Sequence, residues 1–134
     1  MEEKELVQRL FREIRKTDGG LSAYGEDIVR GAINMGAVET VLLSEALNKR
    51  RITVKCPSGH TYQETVDDAD EKVRCRECGA LAIVEENKDL IDDFFEIADS
   101  YNTKVEIISE ESEEGEMLMK AFGGIAAILR YRIQ

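Results

Sequence analysis

The chain has 134 residues, of which 43% are hydrophobic, and its formal net charge is −10 at pH 7. This length allows one ordinary domain with a small inset and excludes a large multidomain enzyme. Because Asp and Glu number 28 and Lys and Arg only 18, binding to nucleic acid or to a membrane surface through phosphate groups is disfavoured. A protein partner is favoured instead.

The number of cysteines and the sequence of the amino terminus indicate whether the protein is cytoplasmic or secreted. The three cysteines are an odd set, and two of them form a C-x-x-C, which favours a reducing cytoplasm and a metal-binding role over a secreted disulfide framework. No apolar run approaches the roughly 20 residues of a transmembrane helix, and no export signal is visible. We therefore expect a cytoplasmic protein.

Hydrophobic periodicity predicts alternating helices and strands in the first part of the chain. Apolar residues at three- and four-residue steps predict a helix over 2–16, which Thr17-Asp18-Gly19-Gly20 should end. A strand over 21–24, a helix over 26–34 and a mostly buried strand over 37–43 are expected to follow.

The last part of the chain repeats this alternation. The expected elements are a helix over 89–101, a strand over 104–108, a short helix over 114–122 and a last strand over 125–133. Alternating helices and strands imply a sheet with helices on both faces, so the predicted class is α/β, a three-layer α/β/α sandwich. The predicted core residues are Leu10, Phe11, Ile33, Leu42, Phe94 and Ile107.

The pattern changes between residues 48 and 86. A strand-like stretch over 51–55, an acidic loop over 67–71 and a β-rich stretch over 73–84 contain few large apolar side chains. Such a segment cannot become ordered by apolar burial alone and needs a cross-link, such as a disulfide or a bound metal ion. The predicted division is a sandwich core over 1–47 and 87–134, with a zinc-ribbon-like minidomain inset over 48–86.

Four potential metal ligands lie in two clusters of this inset. Cys56 and His60 form a C-x-x-x-H, and Cys75 and Cys78 form a C-x-x-C-G, with fourteen residues between the two clusters. Three thiolates and one imidazole suit tetrahedral Zn²⁺ with no open position, which predicts a structural site. Two alternatives stay open. The cysteines could hold no metal, or the C-x-x-C could be a redox motif, which is disfavoured because Cys75 does not begin a helix.

A glycine-rich turn, Gly123-Gly124, precedes the last predicted strand. Neither G-x-x-x-x-G-K-[ST] nor G-x-G-x-x-G is present. A strand follows the glycines, so no helix N-terminus would face a phosphate, and nucleotide binding is disfavoured. The glycines are typical of a helix C-cap before a buried strand.

Side-chain alternation in the last strand predicts which residues are buried. Ile128 and Arg130 should share one face, and Leu129 and Tyr131 the other, so that one pair is core. Burying the face of Ile128 would also bury Arg130 as an unpaired charge, so we expect Leu129 in the core. Arg130 and Tyr131, residue types that often anchor interfaces, are expected at the surface near the chain end.

Catalysis finds little support in the sequence. His60 is the only histidine and is better used as a ligand, serines lack G-x-S-x-G surroundings, and the carboxylates fall in runs typical of solvated faces. The acidic run over 109–116 is interpreted as a solvated loop. The sequence therefore predicts that the chain is not an enzyme.

Two motifs carry a resemblance to a known family. One is the run over 31–43 with Met35-Gly36-Ala37-Val38-Glu39 at its centre, and the other extends from Lys120 through the glycine turn to Ile-Leu-Arg-Tyr at 128–131. Over nearly its whole length the chain resembles the C-terminal domain of archaeal and eukaryotic class I peptide chain release factors. The inset with its metal ligands is similar to the minidomain that these factors carry and that Pelota-type rescue factors lack.

The resemblance implies a domain that recruits a translational GTPase and the ribosome-recycling ABC-type ATPase to a terminating ribosome. It also implies that this chain is an excised domain or a stand-alone relative, because the family's hydrolytic Gly-Gly-Gln and codon-reading Asn-Ile-Lys-Ser motifs are absent. The family's second glycine pair is replaced by Ala126-Ala127. The family's closing motif contacts the GTPase, and the resemblance places the corresponding partner-binding residues at Gly123, Gly124, Ile128, Leu129, Arg130 and Tyr131.

Two other function classes stay open. One is an RNA-binding module of the fold found in RNA-binding ribosomal sandwich proteins, which should present a basic loop face, but Lys49-Arg50-Arg51 is the only basic cluster in the sequence. A Pelota-type ribosome-rescue domain of the same fold is kept as a further alternative. We expect little or no RNA binding by the chain alone. A small zinc enzyme needs an open metal position, and four protein ligands leave none.

Overall fold

Four helices and eight strands follow one another in the residues described by the computed structural model, which are 2–16, 18–68 and 70–133. Thr17 of the predicted helix stop and Ala69 of the predicted acidic loop lie outside them. The chain divides into unit 1, Met1–Leu47 with Phe94–Gln134, and unit 2, Asn48–Asp93. Among the described helices, none combines the length and the apolar content that crossing a bilayer needs.

Unit 1 contains a four-stranded mixed sheet in the order β1-β8-β2-β7. β8 runs antiparallel to both β1 and β2, whereas β2 is parallel to β7. The strands are β1 (Ser22–Tyr24), β2 (Val38–Ser44), β7 (Lys104–Ile108) and β8 (Ile125–Leu129). The helices are α1 (Glu2–Ile14), α2 (Glu26–Asn34), α3 (Leu90–Ser100), whose last seven residues belong to this unit, and α4 (Glu113–Phe122).

Helices α1 and α4 cover one face of this sheet. Val7 and Leu10 of α1 and Leu118 of α4 are fully buried in one cluster with sheet side chains. The sheet contributes Leu42, Ile108, Ala126 and Ile128. Because side chains alternate along a strand, their neighbours in β2 and β8 point to the opposite face, and those neighbours are buried as well.

The predicted alternation of elements in unit 1 is confirmed as a mixed α/β fold. The last strand is shorter than predicted, however, and ends at Leu129. The Leu129 amide donates to the Leu21 carbonyl just before β1, and the Arg130 amide donates to the Ala37 carbonyl just before β2, so β8 ends where both of its antiparallel neighbours begin. Of the predicted core, four residues are buried, whereas Phe11 and Ile107 are only partly buried.

Unit 2 is built on an antiparallel sheet in the order β4-β3-β6-β5. The strands are β3 (Arg50–Lys55), β4 (Thr61–Val66), β5 (Lys72–Arg74) and β6 (Leu81–Asp89). Sequence analysis predicts no strand at β4, where apolar residues are sparse. Unit 2 continues past residue 86, the end of the predicted inset, because β6 extends to Asp89 and α3 begins directly after it.

Candidate metal centre and closing segment

The turn between β3 and β4 brings Cys56 and His60 together. The amide of Cys56 donates a hydrogen bond to the carbonyl of His60 at 2.9 Å, and the amide of Gly59 donates to the carbonyl of Cys56 at 2.9 Å. Gly59 has φ of 97°, a conformation that side chains with a Cβ rarely adopt. This tight turn fixes the first pair of candidate ligands.

The turn between β5 and β6 has a related pair of hydrogen bonds, each of which spans one residue more than in the first turn. The amide of Cys75 donates to the carbonyl of Ala80 at 2.8 Å, and the amide of Gly79 donates to the carbonyl of Cys75 at 2.7 Å. Gly79 has φ of 74°. This longer turn presents the second pair of ligands, Cys75 and Cys78.

The four candidate ligand atoms all lie within 4.8 Å of one another. The Cys56 and Cys78 Sγ atoms are 3.4 Å apart, and Cys75 Sγ lies 3.7 Å from His60 Nδ1. Ligands at zinc–sulfur distances of about 2.3 Å in a tetrahedron are separated by roughly 3.8 Å. The donor set and its spacing fit a tetrahedral metal ion.

Backbone amides point at two of the sulfur atoms. The Ser58 amide donates to Cys56 Sγ at 3.3 Å, and the Glu77 amide donates to Cys75 Sγ at 3.4 Å. The Ser58 amide, followed by the His60 side chain, lowers the pKa of Cys56 to about 6. A thiol with this pKa is mostly thiolate at neutral pH, which is the form that binds metal.

The third cysteine, Cys78, behaves differently. The Ala80 amide lowers the pKa of Cys78. The Cys56 side chain and burial together raise it by a larger amount, so the net pKa lies above that of a free thiol. Cys78 is also exposed, whereas Cys56 and Cys75 are buried. Cys78 therefore gives up its proton at a higher pH than Cys56 does.

A small apolar cluster supports the two turns. Ile52, Val54 and Ala82 pack there with Cys56, Cys75 and Tyr62. The Tyr62 hydroxyl accepts a hydrogen bond from the Arg76 amide at 3.3 Å, and the Arg76 guanidinium lies 4.1 Å from the centroid of the Tyr62 ring. Sequence analysis missed Tyr62, because nothing in the spacing of the cysteines indicates which aromatic residue packs beside them.

The glycine turn caps α4 and leads directly into β8. Gly123 is exposed and left-handed with φ of 67°, as predicted for a C-cap, and the Gly124 amide donates to the Leu118 carbonyl at 3.0 Å. Gly124 is buried with φ of 82°, and a Cβ there would lie 2.9 Å from Met119 Sδ. Both glycines therefore have a structural role.

The prediction that only one face of the last strand is core is wrong. Ile128 is buried in the cluster with α1 and α4, and Leu129, which points to the opposite face of the sheet, is buried as well. Their side chains are therefore not available for direct contact with a partner. Arg130 and Tyr131 lie beyond the strand and are exposed.

Backbone carbonyls accept hydrogen bonds from the two exposed side chains of residues 128–131, which we call the closing segment. Arg130 Nη2 donates to the Asn102 carbonyl at 2.9 Å and its Nη1 to the Gly36 carbonyl at 3.4 Å. The Tyr131 hydroxyl donates to the Met35 carbonyl at 2.9 Å. The closing segment and the 35–36 turn, which carry the two motifs singled out in the sequence, therefore form one surface.

Comparison with known proteins agrees with this architecture. The eRF1 domain 3 family matches residues 1–133. Peptide chain release factor subunit 1 of Methanobrevibacter smithii is 46% identical over 99% of this chain and 33% of its own length. The C-terminal domain of the peptide chain release factor from Methanosarcina mazei has a TM-score of 0.88 at 39% identity, with 99% of this chain and 84% of that chain covered.

The chain is also similar, more distantly, to a structure described as a model of ribosome-bound archaeal Pelota and ABCE1. That structure has a TM-score of 0.58 at 26% identity, with 99% of this chain and 27% of that chain covered. The chain spans about a third of the length of the release factor relatives that it matches.

Proposed function

The chain belongs to the eRF1 domain 3 family, and we propose that it is the partner-recruiting C-terminal domain of a class I release factor in translation termination. The observation that carries this proposal is the match over residues 1–133, together with the release factor domain fold at a TM-score of 0.88. The Pelota alternative is less well supported, since Archaeoglobus fulgidus Pelota is 28% identical at a TM-score of 0.60, against 39% and 0.88 for the release factor domain. A cytoplasmic location follows from the proposed role.

Within this role, the closing segment is the proposed docking site for a translational GTPase. Arg130 and Tyr131 are exposed and are held by three backbone carbonyls, so their positions are fixed before a partner arrives. Ile128 and Leu129 support them from the core, and Gly123 and Gly124 set the direction of the strand. The buried residues therefore act through the position of the exposed pair.

The other proposed partners are the ABC-type ribosome-recycling ATPase and the ribosome itself. The likeness to Pelota in a complex with the ribosome and ABCE1 supports this assignment. In the proposed arrangement, unit 1 is a three-layer α/β/α sandwich and unit 2 is an inset minidomain. The residues Cys56, His60, Cys75 and Cys78 would hold one Zn²⁺, which supplies a structural cross-link between the two turns.

Replacing Arg130 tests the GTPase site. We expect Arg130→Ala to weaken binding of the translational GTPase about tenfold or more, because the variant removes a fixed cationic anchor. Its melting temperature should change little, since the guanidinium lies at the surface. Calorimetric titration against the GTPase, paired with a thermal melt, measures both quantities.

The matched control is Arg12→Ala, which removes the same charge from an exposed position on α1. This variant should bind the GTPase as tightly as the unchanged chain. Equal affinity for Arg130→Ala and the unchanged chain would remove the closing segment from the interface. A lowered melting temperature with unchanged affinity would assign Arg130 a purely structural role.

The chain alone should not release peptide from the ribosome. Hydrolysis of peptidyl-tRNA needs a water positioned at the ester by a loop such as Gly-Gly-Gln, which the sequence lacks. Incubation of the chain with ribosomes carrying a labelled peptidyl-tRNA should give no more release than buffer. Release above that background would contradict the assignment of a recruiting domain.

A further inference from the structure

The sheet of unit 2 has one face packed in the apolar cluster and an opposite face open to solvent. Ile52 and Val54 of β3 and Ala82 of β6 belong to the cluster. Side chains alternate along each strand, so the residues between them point away from it. On β6 these residues are Leu81 and Ile83, which are 50% and 57% exposed. Two adjacent aliphatic side chains on one strand face are thus left in water.

Each exposed aliphatic residue has cationic residues directly opposite it in the sheet. Ile83 pairs with Lys55 on β3 and with Lys72 on β5, and Leu81 pairs with Arg74 on β5. Neighbouring strands lie about 4.8 Å apart, so these cations flank the aliphatic pair at close range. We call these five residues, Lys55, Lys72, Arg74, Leu81 and Ile83, the basic-apolar face.

The cations of this face are weakly engaged within the chain. Lys55 lies 3.9 Å from Glu85, and Arg74 donates a 3.4 Å hydrogen bond to the Gly79 carbonyl. Across the described part of the chain, Lys72 takes part in no ion pair. The five residues of this face include three cations and no carboxylate, in a chain whose net charge is −10.

We propose that the basic-apolar face docks an acidic segment of a protein partner that carries an apolar side chain between its carboxylates. Such a segment places its apolar side chain against Leu81 and Ile83 and its carboxylates against the flanking cations. The interaction gains free energy from apolar burial and from charge complementarity, both of which need this combination of residues. Unit 2 carries this surface, and the proposal does not depend on the GTPase site of unit 1.

A protein segment fits this face better than a nucleic acid does. Binding of single-stranded nucleic acid uses aromatic side chains on which bases stack. The aromatic residue of the sheet, Tyr62, is instead buried in the cluster beneath the Arg76 guanidinium. Aliphatic side chains gain little from a base or a phosphate, whereas they are covered readily by a leucine or valine of a partner.

A peptide titration tests the proposal with the whole chain. The probe is a fluorescein-labelled peptide in which leucine alternates with aspartate, and its matched control has lysine in place of aspartate. Fluorescence anisotropy gives the Kd, and amide chemical shifts of the ¹⁵N-labelled chain locate the contact. We expect the acidic peptide to shift amides of β5 and β6 and to bind at least about tenfold more tightly than the lysine peptide.

Three variants separate charge, apolar contact and fold. Lys72→Glu should weaken binding of the acidic peptide about tenfold, and Ile83→Thr should weaken it about threefold while keeping a β-branched residue in the strand. Lys4→Glu, which makes the same charge change on exposed α1, should leave the Kd unchanged. Thermal melts confirm that each variant is folded before its Kd is compared.

Four results would overturn the proposal. They are equal loss of binding in Lys4→Glu and Lys72→Glu, equal affinity for the lysine peptide, tighter binding of a single-stranded RNA oligonucleotide at the same amides, and absence of chemical shift changes at about 1 mM peptide.

Discussion

Cys75→Ser is expected to strip the metal from unit 2 and to loosen this unit while unit 1 stays folded. The unchanged chain should carry about one zinc ion, and the variant well under half an equivalent. Metal binding to such a site contributes roughly 10 kcal/mol or more to folding in small zinc modules. The cluster of unit 2 is small, so apolar burial there does not replace this contribution.

Hydrogen exchange measures where the loss of order occurs. Amides over 48–93 should exchange faster in Cys75→Ser, whereas the buried strands β2 and β8 should keep their protection. The core of unit 1 uses Leu10, Leu42 and Ile128, none of which lies in unit 2.

Glu77→Gln is the matched control for this variant. Glu77 is exposed, and it is its backbone amide that approaches the sulfur of Cys75, so the substitution should leave zinc content and exchange unchanged. Exchange that rises equally across both units would contradict the modular arrangement. So would an unchanged chain that holds well under half an equivalent of zinc and keeps its protease resistance after chelation.

The sequence is most informative where periodicity or spacing has a single physical meaning. Helix α1 was predictable because Val7 and Leu10 recur at helical spacing and are indeed buried. The four candidate ligands were predictable as a group because their spacing in two clusters suits two turns, and their side chains lie within 4.8 Å of one another. The helical repeat determines the first feature, and the geometry of two short turns determines the second.

The sequence is less informative where contacts join distant parts of the chain. Tyr131 donates to the carbonyl of Met35, and Arg130 to that of Asn102, and no local pattern encodes either pair. The burial of both Ile128 and Leu129 depends on what covers each face of the sheet, so alternation alone gives the wrong answer. Lys72 and Ile83 likewise become neighbours only when β5 pairs with β6.

Gly115→Ala is expected to be strongly destabilising although the change adds only one methyl group to a helix. A Cβ at this position would overlap the carbonyl oxygen of Ser109, and backbone on both sides would have to move. The Gly115 amide also donates to the Ser112 side chain at 3.0 Å, so movement would break the N-cap of α4. We expect a loss of about 3 kcal/mol in the free energy of unfolding.

Gly31→Ala is the control that separates this clash from the general effect of alanine in a helix. Gly31 lies on the exposed side of α2, and a Cβ there would meet nothing within 4 Å. Because alanine is the better helix former, Gly31→Ala should raise the free energy of unfolding by about 0.5–1 kcal/mol. Urea unfolding followed by circular dichroism measures both variants on the same scale. Opposite signs are expected because the two glycines differ in the space above their Cα atoms, and equal effects would show that the Ser109 carbonyl yields without cost.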